Sequence, residues 1–150
     1  MIASSRGSPD SGKLCYVRGV MQFDGKAWEN LEAAERLLPD DDGTRIDSWT
    51  NASATRAYYA AYLAAAHRAQ QLHVAFTHER KAYYRHDTFP RELARAGVLD
   101  HEGCDALEWL YSVRVKADYQ EDNVDLEEAG LAAEMAGRLV RVLLPGGRAA

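Results

Sequence analysis

Arg114, Asp118 and Tyr119 close the segment LEWLYSVRVKADY at 107–119. Arg114 falls one turn after Leu110 and Tyr111 and two turns after Leu107, at the edge of an apolar helical stripe. A guanidinium in that place either snorkels over a core or is held there for a task. Asp118 stands four residues further on, so the structural reading is an intrahelical ion pair worth a few tenths of a kcal/mol. The order, basic before acidic, is the weaker orientation for such a pair.

A second group is Arg56-Ala57-Tyr58-Tyr59-Ala60-Ala61-Tyr62. Helical spacing puts Arg56, Tyr59 and Leu63 on one face and Tyr58 and Tyr62 on another. Aromatics at this spacing form core whose hydroxyls reach the rim, and an arginine among them needs a carboxylate or carbonyl partner. The third group is the stretch 78–95, with Arg80, Lys81, Arg85, Arg91 and Arg95 against Glu79, Asp87 and Glu92. Tyr83, Tyr84 and Phe89 are interleaved with it. Basic side chains can follow a nucleic-acid backbone while aromatic rings stack on bases, although a solvated connector has much the same composition.

Other chemistries lack their motifs. His67, His73, His78, His86 and His101 make no metal signature, and no HExxH or paired CxxC occurs. Phosphate-cradling glycine loops and the nucleophile elbow are likewise missing from the sequence. The residues therefore call for no metal and no cofactor. Glu121, Asp122, Asp125, Glu127 and Glu128 gather at a helix start, where the helix dipole accounts for them.

The elements that must position these groups are helical. Ser, Gly and Pro crowd the first dozen positions, which predicts a flexible tail over 1–23, with Met21 a possible true start. Asp24 is a candidate N-cap for a helix with Ala27, Leu31, Ala34 and Leu38 on one face, ended by Pro39 and an acidic turn. Ser48 is the candidate cap of a second helix from Trp49 to Leu72. Its alanines at 57, 60, 61, 64, 65, 66 and 69 would let neighbouring helices approach closely. Pro90 opens a short helix closed by Gly97, and Asp100 caps a helix carrying Ala106, Leu110, Val113 and Ala117. Asp125 and Glu128 form a capping-box pattern before the stripe Ala129, Ala132, Ala136, Leu139 or Val140, and Leu143. The expectation is an all-α antiparallel bundle of four main helices plus one short helix over 24–145, with a C-terminal tail at 146–150.

Composition agrees. The 150 residues are 47% hydrophobic and 27% charged, enough for one core and too few for two. A net charge of -5 means that any polyanion must meet a local basic patch or a dimer groove. Two distant cysteines, Cys15 and Cys104, suggest neither a disulfide framework nor a zinc site, and a reducing cytoplasm is the natural setting. No apolar run reaches the roughly 20 residues that span a bilayer, so no membrane partner is expected. Residues 1–20 lack the apolar core of a secretory signal.

In order and spacing, RAYYAAYLAAA at 56–66, RHDTFPRELARAGVLD at 85–100, LYSVRVKADY at 110–119 and the final amphipathic helix resemble the HEPN superfamily. The likeness runs from about residue 24 to 144 and is closest to small prokaryotic members with an R-x3-D-Y ending, here Arg114, Asp118 and Tyr119. Many such proteins are metal-independent ribonucleases with an R-x4–6-H motif, in which a base takes the ribose 2′-hydroxyl proton and a cation stabilises the phosphorane. Two motifs commonly meet across a homodimer. In this chain Arg114 fills the arginine position, while Tyr119, Gln120 and Glu121 stand where the histidine belongs. An unperturbed tyrosine titrates near 10 and a glutamate near 4.3, so neither replaces imidazole well near neutral pH.

The resemblance thus implies an RNA- or nucleotide-associated binding module of a toxin–antitoxin or defence system, without strong catalysis. Arg56, Arg80, Lys81, Arg85 and Asp118 would join Arg114 in binding. A homodimer, RNA and a nucleotidyltransferase-type antitoxin or defence-complex subunit are the implied partners, with Tyr119 the candidate for modification. A non-catalytic scaffold subunit of a larger complex is the second reading. A residual ribonuclease is the third, using Arg114 with His86 or Tyr119 and requiring His86 to lie within a few ångströms of Arg114.

Overall fold

The computed structural model describes the backbone of residues 11–39, 49–74 and 84–148, with side chains from residue 23 onward. Five helices account for most of it: α1 (Ser11–Arg36), α2 (Thr50–Gln71), α3 (Phe89–Arg95), α4 (His101–Tyr119) and α5 (Leu126–Leu143). Among the described residues there is no strand, as alanine richness and sparse β-branching predict. Four long helices and one short one make a helical bundle.

The alanines decide which helix lies at the centre. All seven, from Ala57 to Ala69, are buried, and α2 is the element that α1, α4 and α5 all pack against. Methyl-sized side chains on several faces let three neighbours approach one backbone at the short end of the usual 8–10 Å helix separation. Ser53, fully buried, donates from Oγ to the Ala34 carbonyl at 2.7 Å and fastens α2 to the end of α1.

Onto this axis the other helices turn the faces that periodicity assigns them. Ala27, Leu31 and Ala34 of α1 are buried, as are Leu107, Leu110 and Val113 of α4. From α5 come Ala129, Ala132, Ala136, Leu139, Val140 and Leu143. Removing a leucine such as Leu110 from water contributes about 1.5–3 kcal/mol.

Local signals set most helix ends. The Asp100 side chain accepts from the Gly103 N–H at 2.8 Å and starts α4. Gly97, at φ 70, ends the short α3 in a Schellman motif. There the Val98 N–H donates to the Leu93 carbonyl at 2.9 Å and the Gly97 N–H to Ala94 at 3.1 Å. Asp125 accepts from the Glu128 N–H at 2.7 Å, but the Glu128 carboxylate pairs with Lys116 Nζ at 2.7 Å. Only half of the predicted capping box therefore forms, because a cation on the preceding helix draws the second arm away.

Three expectations change. α1 begins at Ser11, so 11–23 is helical and Asp24 lies inside the helix instead of capping it. The segment's Lys13, Leu14, Val17, Met21 and Gln22 include good helix formers, and its glycines at 12 and 19 weaken a helix without forbidding it. Ser48 is outside the described residues; Trp49 holds the N-cap position of α2 with no side-chain cap bond. In the C-terminal segment, Arg148 reaches back to form an ion pair with Glu32 of α1 at 2.5 Å.

Candidate functional site

Where α4 ends beside the first half of α2, Arg114 leans over the aromatic face of α2. Its side chain is 13% exposed. Nη2 donates to the Tyr59 hydroxyl at 3.1 Å, and Cζ lies 5.5 Å from the Tyr59 ring centroid and 5.4 Å from that of Tyr119. Aromatic faces are negative at their centres, so two rings hold one cation where water is scarce.

Asp118 completes the arrangement. Its Oδ2 lies 2.9 Å from Arg114 Nε, yet the Nε proton does not point along that line, and among the described residues this buried N–H has no hydrogen-bond acceptor. The contact is an ion pair between adjacent turns. The other carboxylate oxygen, Oδ1, accepts from Thr55 Oγ1 of α2 at 2.6 Å. Asp118 is thus fixed from two helices, and a polar path runs from Thr55 through Asp118 and Arg114 to Tyr59. Burial on its own disfavours the guanidinium charge; Tyr59, Asp118 and Tyr119 outweigh it and leave the Arg114 pKa above the ordinary arginine value.

A shallow pocket of about 380 Å³ opens beside this path, lined by Asn51, Ala52, Thr55, Arg56, Tyr59 and Asp118. Arg56 is exposed; its hydrogen-bond partner is the Asn30 side-chain carbonyl at 3.2 Å, and among the described residues no carboxylate is hydrogen-bonded to it. The Tyr119 ring, 72% exposed, is the outermost surface of the site.

On the far side of Tyr59 lies His86. The imidazole ring centroid is 4.5 Å from that of Tyr62 and 6.2 Å, edge-on, from that of Tyr59. It is nearly parallel to Tyr111, at 5.8 Å and 5°. Tyr58, 1% exposed, contacts Nδ1 of His86 through its hydroxyl. Burial pushes the Tyr58 pKa far above the usual phenol value, so the phenol keeps its proton. A phenol oxygen is a poor acceptor and an imidazole nitrogen a good one, so the Tyr58 O–H donates to Nδ1. Burial first, and the Arg114 charge second, hold the His86 pKa below its ordinary value. The ring is therefore neutral near pH 7, with its proton on Nε2.

This arrangement limits the chemistry. A neutral imidazole has one lone pair, and here Tyr58 occupies it. His86 offers a donor at Nε2 and no free base, which suits holding an anion or a hydroxyl better than removing a proton. Arg114 supplies the cation and Tyr119 the exposed ring.

The structure gathers Arg114, Asp118, Tyr119, Arg56 and His86 around the aromatic start of α2. Arg80 and Lys81 lie outside the described residues. Arg85 stands apart from a free basic patch: it forms a two-pronged pair with Asp87, Nε to Oδ1 at 3.0 Å and Nη2 to Oδ2 at 2.7 Å. That contact holds the Asp87 carboxyl below its ordinary range.

Two of the aromatics that the sequence offered as base-stacking candidates are core residues. Tyr84 and Phe89 are buried, stacked at 4.2 Å and 13°, and the Tyr84 hydroxyl donates to the Val74 carbonyl at 2.7 Å. Thr55 and Asn51 were missed by sequence reasoning. Thr55 lies 63 residues from Asp118, and no spacing signal joins such a pair. Among the described residues no group of three or more His, Cys, Asp or Glu side chains could hold a metal ion. Cys104 is a buried thiol whose Sγ donates to the Pro90 carbonyl at 3.2 Å. No helix among the described residues is long and apolar enough to cross a membrane.

No protein-family model, curated protein or solved structure matches this chain.

Proposed function

We propose that the chain is a HEPN-type module that binds RNA, or a nucleotide-bearing partner, at the Arg114 site without cutting it efficiently. The observation that carries the reading is the setting of Arg114: a permanently charged, largely buried guanidinium between two tyrosine rings, one of them exposed. A phosphate beside Arg114 and Arg56 with a base on Tyr119 would combine the charge and stacking contributions of single-strand recognition. In this reading the protein serves a toxin–antitoxin or defence system, two copies pair their Arg114 clefts, and Tyr119 is open to modification by a partner nucleotidyltransferase.

Binding is favoured over cleavage because Tyr58 takes the only lone pair of His86. The ribonuclease alternative predicts cleavage of a mixed RNA pool in EDTA, since it needs no metal; a folded preparation that leaves the pool intact removes it. The direct test of the binding reading is retardation of a short single-stranded RNA by the purified protein. Arg114→Ala, shown to be folded by circular dichroism, should abolish it. Unchanged retardation by that variant would take Arg114 out of the site.

A further inference from the structure

α4 and α5 both lie mainly against α2 and touch one another little. Between the start of α4 and the end of α5 this leaves an apolar groove of about 570 Å³. Ala106 and Trp109 line it from α4; Met135, Leu139 and Val142 line it from α5. Val142 is 69% exposed. Leu131, 47% exposed, lies on the same face of α5 as Met135 and Val142, with Arg138 between the last two. Isolated exposed apolar side chains need no explanation, but a groove lined by several of them does.

The rim carries a sign. Asp100, Glu102 and Asp105 border the groove on the α4 side. Across it stands Arg138, whose Nη2 is already paired with Glu134 at 2.5 Å. Asp100 is spent on its helix cap, and the dipole of α4 favours Glu102, but Asp105 lies beyond the first turn. Asp105 lies 3.7 Å from Nδ1 of His101 on its own helix, and the acids lining the groove outnumber its one arginine, so its net charge is negative.

We infer that this groove docks a basic amphipathic helix of a partner protein, with an apolar stripe on Trp109, Met135 and Val142 and lysines or arginines facing Glu102 and Asp105. The trough between two splayed helices fits a third, whose apolar residues recur every three to four positions. Nucleic acid is repelled by the rim. A second copy docked about a twofold axis would set the acidic rim against itself. The groove is independent of the RNA site: Asp105 and Arg114 are separated by roughly 14 Å along α4 at 1.5 Å per residue.

The test uses the full chain and a synthetic helical peptide of leucine and lysine in which the leucines recur every three to four residues, giving a single apolar face. Its controls are a scrambled peptide of the same composition and a version with glutamate for lysine. The amphipathic basic peptide should bind, shifting amide resonances of residues 98–109 and 135–142, while both controls bind at least about tenfold more weakly. Glu102→Gln combined with Asp105→Asn, and separately Val142→Asp, should each weaken peptide binding by about tenfold. Both sets alter exposed positions, and circular dichroism verifies their fold. Equal binding of the scrambled or acidic peptide, indifference to both variant sets, or shifts confined elsewhere would overturn the proposal. So would a dimer in sedimentation that Val142→Asp dissolves, because a second copy would then own the groove.

Discussion

The Tyr58 hydroxyl meets Nδ1 of His86 across 28 residues of sequence, and with the buried phenol as donor this contact sets the tautomer of the only histidine in the Arg114 cluster among the described residues. The imidazole is thereby a neutral donor instead of a base. Its neutrality and the Arg114 charge support one another, since a second cation beside the guanidinium would be repelled.

That relationship sets a pH dependence. His86 has a folded pKa below the ordinary 6.5, so the unfolded chain binds its proton more readily. Its contribution to stability is full above about pH 6.5 and is lost as the pH falls through the lower folded value. NMR titration of His86 should give a midpoint below 6.5. Arg114→Ala should raise that midpoint part of the way, because burial, the larger cause, remains. A midpoint at or above 6.5 in the parent protein would refute the assignment.

Asn51 should matter more than an ordinary half-buried asparagine. Its Oδ1 accepts from the Val124 N–H at 2.8 Å, and its Nδ2 donates to Asn123 Oδ1 at 2.9 Å, tying the α4–α5 connection to the start of α2. Val124 is 1% exposed, so Asn51→Ala strands a part-buried N–H and should cost about 1–3 kcal/mol in urea unfolding. Asn51→Asp keeps the acceptor and should recover most of the loss.

The caps of α4 and α5 should behave as separate devices. Asp100→Ala and Asp125→Ala should each lower stability by about 1 kcal/mol, and the double variant should lose close to the sum, since the two share no partner. Glu128→Gln should cost less than Asp125→Ala, because the Glu128 carboxylate serves Lys116 and not the cap. Equal losses would mean that the carboxylate belongs to the cap after all.

Helix positions and faces were legible in the chain because their causes are local. Alternation every three to four residues assigned Leu31, Leu110, Val140 and Leu143 to the interior, and Asp100, Gly97 and Asp125 marked ends through bonds within a few residues. The seven alanines marked the central helix for the same reason, since side-chain size alone limits how closely helices approach. The Arg114–Asp118 pair, on adjacent turns, was visible as well. The start of α1 was not, because Ser and Gly content described a tail where the backbone from Ser11 is helical.

What tertiary structure alone decided is which of these groups meet. The connector before α3 has no periodicity, so nothing in it distinguished His86, drawn into the site, from Tyr84, stacked on Phe89 of α3 in the core. Thr55 meets Asp118, and Asn51 meets Val124, only because α2 is the shared axis of the bundle. Sequence established that an arginine and several tyrosines were present at helical spacing. Packing around one alanine-rich helix decided that Arg114 is largely buried and charged, that Tyr119 stays exposed, and that the lone pair of His86 is already taken.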